Sequence, residues 1–335
     1  MKAAALRKHL GHSFRHGMKN LIVSAPGIGK SQIVAAAARD VGADLEIMHP
    51  AVSDPTDFKG MPALVTKETQ TLAEFLPFGQ LRKLIEAKSL TVAFFDDLGQ
   101  APAAVQAAIM QPLEAREIDG HKISPHVVFA GATNDASHMA GVSGILEPVK
   151  SRWNAIIHLQ FDVDDWVHWA INEGQMPPEL IAFARFRPGL IHDFKATREL
   201  TNSSCPRTVA TVGKWLNTGV SDWEVIAGAA GAAFATEFCA FLRIWRQVAD
   251  IDTIIANPLT APVPRDDQPD LAIATAIALS FKATKTNFAA IIQYLCRLQK
   301  EWEVFGVMDA IRRDPKLGDS AGFTKWSVAN TQHIG

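Results

Sequence analysis

An apolar run, Asn20-Leu-Ile-Val23, leads directly into Ser24-Ala-Pro-Gly-Ile-Gly-Lys-Ser31, and Ile33-Val-Ala-Ala-Ala-Ala-Arg39 follows with the make-up of a helix. A strand that passes through a Gly-rich loop into a helix builds a phosphate cradle. Loop amides and the helix N-terminus face the anion. In that arrangement the Lys30 ammonium reaches β- and γ-phosphates, and the Ser31 hydroxyl ligates Mg²⁺. The pattern G-x-x-x-x-G-K-[ST] is met at Gly29, Lys30 and Ser31 and broken at its first position, which is Ser24. Gly27 and Gly29 stand where backbone must come close to phosphate. The flanking strand and helix argue against a chance Gly/Pro turn. The candidate nucleotide contacts are Pro26, Gly27, Ile28, Gly29, Lys30, Ser31 and Gln32.

A second signal lies at Leu90-Thr-Val-Ala-Phe-Phe95, an apolar strand that ends in Asp96-Asp97. Two adjacent carboxylates at a buried strand tip are costly unless something cationic sits there. Nucleotide-bound Mg²⁺ is the natural counter-charge. Asp96 would hold the metal through its water shell, and Asp97 would orient and deprotonate an attacking water. A third buried strand, His126-Val-Val-Phe-Ala-Gly-Ala-Thr133, carries Asn134 at its tip. Parallel sheets bind ligands on that edge, so Asn134 is a candidate partner for the γ-phosphate or the lytic water. Taken alone, an Asn there also suits a turn.

Length and composition bound the rest. The chain has 335 residues, enough for two or more domains. With 33 Lys and Arg against 35 Asp and Glu, the net charge of −2 provides no bulk attraction for nucleic acid or an anionic membrane. Lys2, Arg7, Lys8, Arg15 and Lys19 make the first residues locally basic, which reads as a solvated helix face. Three dispersed cysteines offer no disulfide framework, so a reducing, cytoplasmic setting is expected. No signal peptide is apparent. The small-residue run Val225 to Ala235 is too short to span a bilayer and predicts a tightly packed buried helix. His12 and His16 lie one helical turn apart without a third ligand nearby, and read as surface histidines.

Helices are expected at residues 1–16, 79–88 and 103–116. A strand is expected at Leu45-Glu-Ile-Met48. Two hairpins are expected, one around Leu64-Val65 and Leu72 to Phe75, the other at Glu117 to Ser124 with Asp119-Gly120 as its turn. Beyond Asp162 the pattern is helical, at Asp165 to Asn172, Arg207 to Leu216, Trp223 to Val248, Asp270 to Phe281, Asn287 to Leu298 and Glu303 to Arg313. Most of the eight tryptophans, all beyond the first hundred residues, read as helix-packing core.

These residues resemble the MoxR group of AAA+ ATPases, in the clade with a helix-2 insert. The resemblance runs through Ala25 to Ser31, Phe94-Phe-Asp-Asp-Leu-Gly-Gln-Ala-Pro102, Gln111-Pro-Leu-Glu-Ala-Arg116 and Ala132-Thr-Asn-Asp135. It continues through Leu146-Glu-Pro-Val-Lys-Ser-Arg-Trp153 and Ser204-Cys-Pro-Arg-Thr208. It implies an α/β fold: a P-loop core (1–161) with a parallel five-stranded sheet and two inserted hairpins, an all-helical lid (162–256) and a C-terminal helical extension packed on the lid (257–335). Lys30 and Ser31 would end Walker A, Asp96 would be the Walker B metal carboxylate, and Asn134 sensor 1. Arg152 would be an arginine finger acting on a neighbour's nucleotide. Arg207 would be the sensor 2 arginine on the lid. For both arginines a surface salt bridge is the plainer alternative. The implied activity is Mg²⁺-dependent ATP hydrolysis to ADP by a homo-oligomeric, hexameric ring. The ring would remodel or mature a partner protein complex in a chaperone-like way, with a von Willebrand A-domain adaptor.

Two departures stand out. The family has Glu at the second Walker B carboxylate, where this chain has Asp97, one methylene shorter. The family often has an Arg after the Asn in the following loop, where this chain has Gly99-Gln100. The Asp keeps a second reading open, a nucleotide-dependent assembly switch with little turnover. A DNA-handling AAA+ protein is a third, against which the near-neutral charge weighs.

Overall fold

A computed structural model describes residues 1–67, 70–135, 144–197 and 199–333. The chain divides into two compact units, the first running from Met1 to Asp165 with a short stretch from Phe194, the second comprising Trp166–Asp193 and the residues from Glu199 on.

The first unit begins with α1 (Ala3–Arg15), β1 (Asn20–Ser24), α2 (Lys30–Asp40) and β2 (Asp44–Met48). Next come α3 (Thr56–Lys59) and the hairpin β3 (Met61–Lys67) with β4 (Gln70–Leu76). Then follow α4 (Gly79–Glu86), β5 (Thr91–Phe95), α5 (Ala103–Ala115), β6 (Glu117–Ile118), β7 (His121–Lys122), β8 (Val127–Asn134), α6 (Glu147–Lys150) and β9 (Ala155–His158). Five strands form one parallel sheet in the order β2-β5-β8-β1-β9. The α/β class with two inserted hairpins is as expected, and the tip of the first hairpin lies outside the described residues.

Strand periodicity explains the layering. Along β5, Val92 and Phe94 enter a core with Leu6, Leu10 and Phe14 of α1 and Val34 of α2. The alternating Ala93 and Phe95 enter a second core with Leu81 and Leu84 of α4 and Val105 and Ile109 of α5. With helices on both faces, every residue of β5 and β8 is buried, which is why both read as continuous apolar runs rather than alternating ones.

The β6–β7 turn has positive φ at both Asp119 (47°) and Gly120 (88°), the handedness that matches strand twist. Arg116, just before it, caps α5 at φ 52° and donates to the Ser124 carbonyl at 2.7 Å and the Val127 carbonyl at 2.8 Å. Burial holds its guanidinium below the ordinary value. This clasp fastens the hairpin to the strand that carries Asn134. Arg116→Ala keeps the positive φ while removing both bonds, so we expect a loss of about 1–3 kcal/mol. A melting curve checks it, and an unchanged midpoint would show the clasp to be idle.

The second unit is helical among the described residues. It contains most of α7 (Val163–Asn172), then α8 (Pro178–Phe186), α9 (Pro206–Asn217), α10 (Trp223–Ala230), α11 (Ala232–Trp245) and α12 (Ile251–Ala256). It closes with α13 (Pro269–Lys282), α14 (Phe288–Leu295), α15 (Lys300–Arg313) and α16 (Ala321–Ala329). Phe183 of α8 packs on Phe234, Phe238 and Phe241 of α11, with ring centroids 5.1–5.5 Å apart. Helix α13 is buried from Ala272 through Ser280, as befits a helix that is apolar all round. A buried ion pair, Arg185 to Asp309 at 3.3 Å, and a Ser280–Asp309 hydrogen bond of 2.6 Å tie α8, α13 and α15 together.

One expectation fails here. The run from Trp223 to Val248 is not a single helix, and its small-residue stretch is not wholly buried. It breaks at Gly231 (φ 93°), where a Cβ would meet the Asn202 carbonyl oxygen at 2.7 Å. The close approach of a distant backbone, not local propensity, sets the break. Fewer tryptophans than expected sit in the core: Trp153, Trp166 and Trp326 are buried, Trp169, Trp245 and Trp302 are half-buried, and Trp215 and Trp223 lie exposed. No helix of the described residues is long and apolar enough to cross a membrane.

Candidate nucleotide site

The loop after β1 needs glycine for its shape. Gly27 (φ 74°) and Gly29 (φ 103°) take left-handed conformations that an L side chain would strain. Gly29 is the N-cap of α2, and no side chain caps that helix. The N-terminal amides of an eleven-residue helix therefore open toward the loop.

Lys30 is the first residue of α2 and is buried. Its ammonium donates to Asn134 Oδ1 at 2.6 Å and to Ser24 Oγ at 3.2 Å. The Ser24 hydroxyl in turn donates to the Ala25 carbonyl at 2.9 Å. Ser24, a bare departure from the motif in sequence, thus helps seat the lysine. Ser31 Oγ donates to Asp96 Oδ2 at 2.5 Å.

Sheet order brings these groups together. Strand β8 lies between β1 and β5, with Asn134 in register with Ser24 and Gly131 with Phe95. The C-terminal tips of three parallel strands therefore meet at one edge. The Asp96 amide bonds the Met48 carbonyl at 2.9 Å, extending the pairing with β2 past the strand end. Asp97 turns into the left-handed region at φ 54°, a conformation Asp tolerates better than most residues. Its amide donates to Asp96 Oδ1 at 3.1 Å, and Asn134 Nδ2 approaches its Oδ1 at 3.4 Å.

Lys30, Ser31, Asp96, Asp97 and Asn134 thus form one connected cluster. The cluster combines one ammonium with two carboxyl groups, a donor set that suits a divalent cation. Among the described residues no group of three His, Cys, Asp and Glu side chains could hold a metal. The Ser31–Asp96 pair suits instead a Mg²⁺ ion that takes its remaining ligands from water and phosphate oxygens. The uncapped helix start, the left-handed glycines and this donor set fit a nucleoside triphosphate with its Mg²⁺.

The two arginines stand on other elements. Arg152, just after α6, donates through Nη1 to the Pro148 carbonyl, and its Nε lies 3.4 Å from Glu114 Oε2 on α5. Arg207 is exposed in the first turn of α9, in the second unit. That turn is set locally: Pro206 occupies the first helical position, and Thr208 Oγ1 accepts from the Cys205 amide at 2.8 Å. Sequence reasoning missed Ser24 as a lysine partner and Glu114 as the arginine's counter-ion. Neither lies in a spacing pattern that would have flagged it.

Compared with known protein families, the chain matches none. No curated protein matches it either. Among solved structures it is similar to the RuvB Holliday junction branch migration motor of Thermotoga maritima, at 16% identity and a TM-score of 0.42 over 88% of this chain and 86% of that one. A RuvB variant from the same organism gives 16% identity and a TM-score of 0.44, over 83% and 81% of the two chains. NtrX from Brucella abortus in complex with ADP gives 12% and 0.42, over 98% of this chain and 67% of that one. Likenesses this distant add nothing to the chemistry, which stands on the cluster itself.

Proposed function

We propose that this chain is a Mg²⁺-dependent ATPase of the AAA+ class, similar to the MoxR group. It works as a hexameric homo-oligomeric ring that remodels or matures a partner protein complex. The observation that carries this reading is the single hydrogen-bonded cluster in which Lys30, Ser31, Asp96, Asp97 and Asn134 meet at the strand tips.

Each residue's role follows from its position. The Gly27–Gly29 loop and the start of α2 cradle the phosphates through their amides, and Lys30 neutralises the outer two. Ser31 and Asp96 would hold the metal, which would supply charge stabilisation at the γ-phosphoryl. Asp97 orients a water and accepts its proton. Asn134, within reach of both Lys30 and Asp97, aligns that water with the phosphate. Arg152 acts on the nucleotide of the next protomer, so turnover requires assembly. Arg207, on the helical lid, senses the same phosphate and couples hydrolysis to lid movement. The MoxR resemblance adds a von Willebrand A-domain adaptor as partner.

ATP hydrolysis by the purified protein, followed across its oligomeric forms, tests the proposal; absence of hydrolysis in every form would reject it. Asp97→Asn is expected to lower kcat by about 100-fold or more while leaving nucleotide affinity within a few-fold. Equal losses in both would remove Asp97 as the base. The short, left-handed Asp97 also favours the second reading, a switch that binds ATP and barely turns it over. Asp97→Glu separates the two: faster turnover with the longer carboxylate supports the switch, and slower turnover supports an ATPase built around Asp.

A further inference from the structure

We infer that Gly131 and Trp153 form a steric lock that positions Arg152. This deepens the reading of Arg152 as a group acting on a neighbour's nucleotide, and rests on it.

Gly131 sits in the middle of β8, in register with Leu21 on one side and Phe95 on the other. Both neighbours enter the core that also holds Trp153. A glycine between two large side chains leaves a dimple in the sheet, and the far edge of the indole fills it. A Cβ at position 131 would lie 2.8 Å from Trp153 Cη2, 2.9 Å from Cζ2 and 3.2 Å from Leu21 Cδ1. No real structure accepts such contacts without movement.

The indole is not there for its polar atom. Its N–H is buried without a hydrogen-bond partner, a cost that Phe would avoid. Size is therefore what the position uses: the indole reaches the dimple and a phenyl ring does not.

The chain on either side is pinned to match. Val149 is fully buried in the same core. On the other side, Asn154 exchanges two hydrogen bonds with Lys19, its amide donating to the Lys19 carbonyl at 2.9 Å and its Oδ1 accepting from the Lys19 amide at 2.7 Å. Arg152 stands between these anchors, next to the locked tryptophan. Its side chain is steadied by the Pro148 carbonyl and by Glu114. Displacing the indole must carry the Arg152 backbone with it. Gly131 and Trp153 are positioning residues, since neither touches the nucleotide cluster.

The test uses Gly131→Ala, Trp153→Phe and the double variant in the full chain. Gly131→Ala is expected to lose about 100-fold in turnover, the cost of displacing a catalytic group by about 1 Å. Affinity for Mg²⁺-ATP should stay within about twofold, because the cradle is untouched. In the double variant the phenyl ring vacates the space the new methyl needs, and turnover recovers at least tenfold over Gly131→Ala. Mixing Gly131→Ala with Lys30→Ala protomers supplies a well-placed Arg152 in trans to intact cradles, so turnover should also rise in the mixture. A general loss of structure would not be rescued that way.

Parental turnover in Gly131→Ala would overturn the lock, as would a double variant no better than the single. If Gly131→Ala does not fold, the double variant decides: folding with turnover supports the lock, and folding without turnover, or not folding, overturns it. A parent chain inactive in every assembly would reject the ATPase reading instead. The lock would then be judged by melting temperature, with the double variant expected to melt above Gly131→Ala and failing the lock if it does not.

Discussion

Lys30→Ala should all but abolish nucleotide binding and, with it, turnover. The ammonium is buried at the base of the loop, 2.6 Å from Asn134 and 3.2 Å from Ser24. In such a low-dielectric place a charge-assisted bond to phosphate is worth about 3 kcal/mol, hence on the order of 100-fold in affinity. Two further effects add to this. Removing the cation leaves Asp96 and Asp97 uncompensated beside an incoming triphosphate, so repulsion replaces attraction. It also strips Asn134 of the partner that holds its side chain. Lys30→Arg should not rescue, because a planar fork does not fit a site shaped for a compact point charge. Fluorescent-nucleotide titration and phosphate release give the two readouts. Parental binding and turnover in Lys30→Ala would place the nucleotide elsewhere and undo the proposed function.

Arg152→Ala should show a different signature. Binding to the protomer's own cradle should be retained, while kcat falls by about 10³–10⁵, the usual worth of an arginine supplied to a phosphoryl transition state. The difference arises because the guanidinium makes its contacts with Glu114 and Pro148, not with the residues of its own cluster. Two further observations would accompany this. Specific activity of the parent should rise with protein concentration as neighbours complete each other's sites. Mixed Arg152→Ala and Lys30→Ala protomers, each inactive alone, should regain activity where one supplies the arginine and the other the cradle. Unchanged turnover in Arg152→Ala would leave it as the surface ion pair it also resembles, worth about 0–1 kcal/mol and nothing catalytic.

Arg116→Ala separates stability from chemistry. That residue fastens the β6–β7 hairpin through two backbone carbonyls and has no contact with the cluster. A fall in its melting point without loss of turnover per folded protomer is the expected pattern.

Much of the first unit is written in local patterns. The loop from Ser24 to Ser31, the strands around Phe94 and Val128, and the Asp119-Gly120 turn each depend on backbone conformations encoded within a few residues. Pro206 and Thr208 likewise start α9 where the sequence places it. The elements α3, α6, β9, α8, α12 and α16 carry no such signal, because each is short and draws on packing or pairing partners outside its own stretch of chain.

What local sequence determined is therefore the list of chemical groups: an ammonium, a hydroxyl, two carboxylates, an amide and two arginines, each on a recognisable element. Their assembly was decided by the sheet. Only the insertion of β8 between β1 and β5 lets Asn134 reach Lys30 across 104 residues. Only the packed core shows that Trp153 occupies the hollow over Gly131. Glycine alone says nothing about what will fill the space it leaves, and a lysine says nothing about which amide will receive it. Both answers depend on contacts between segments whose separation in sequence carries no periodic signal, so they appear only once the chain has closed its core.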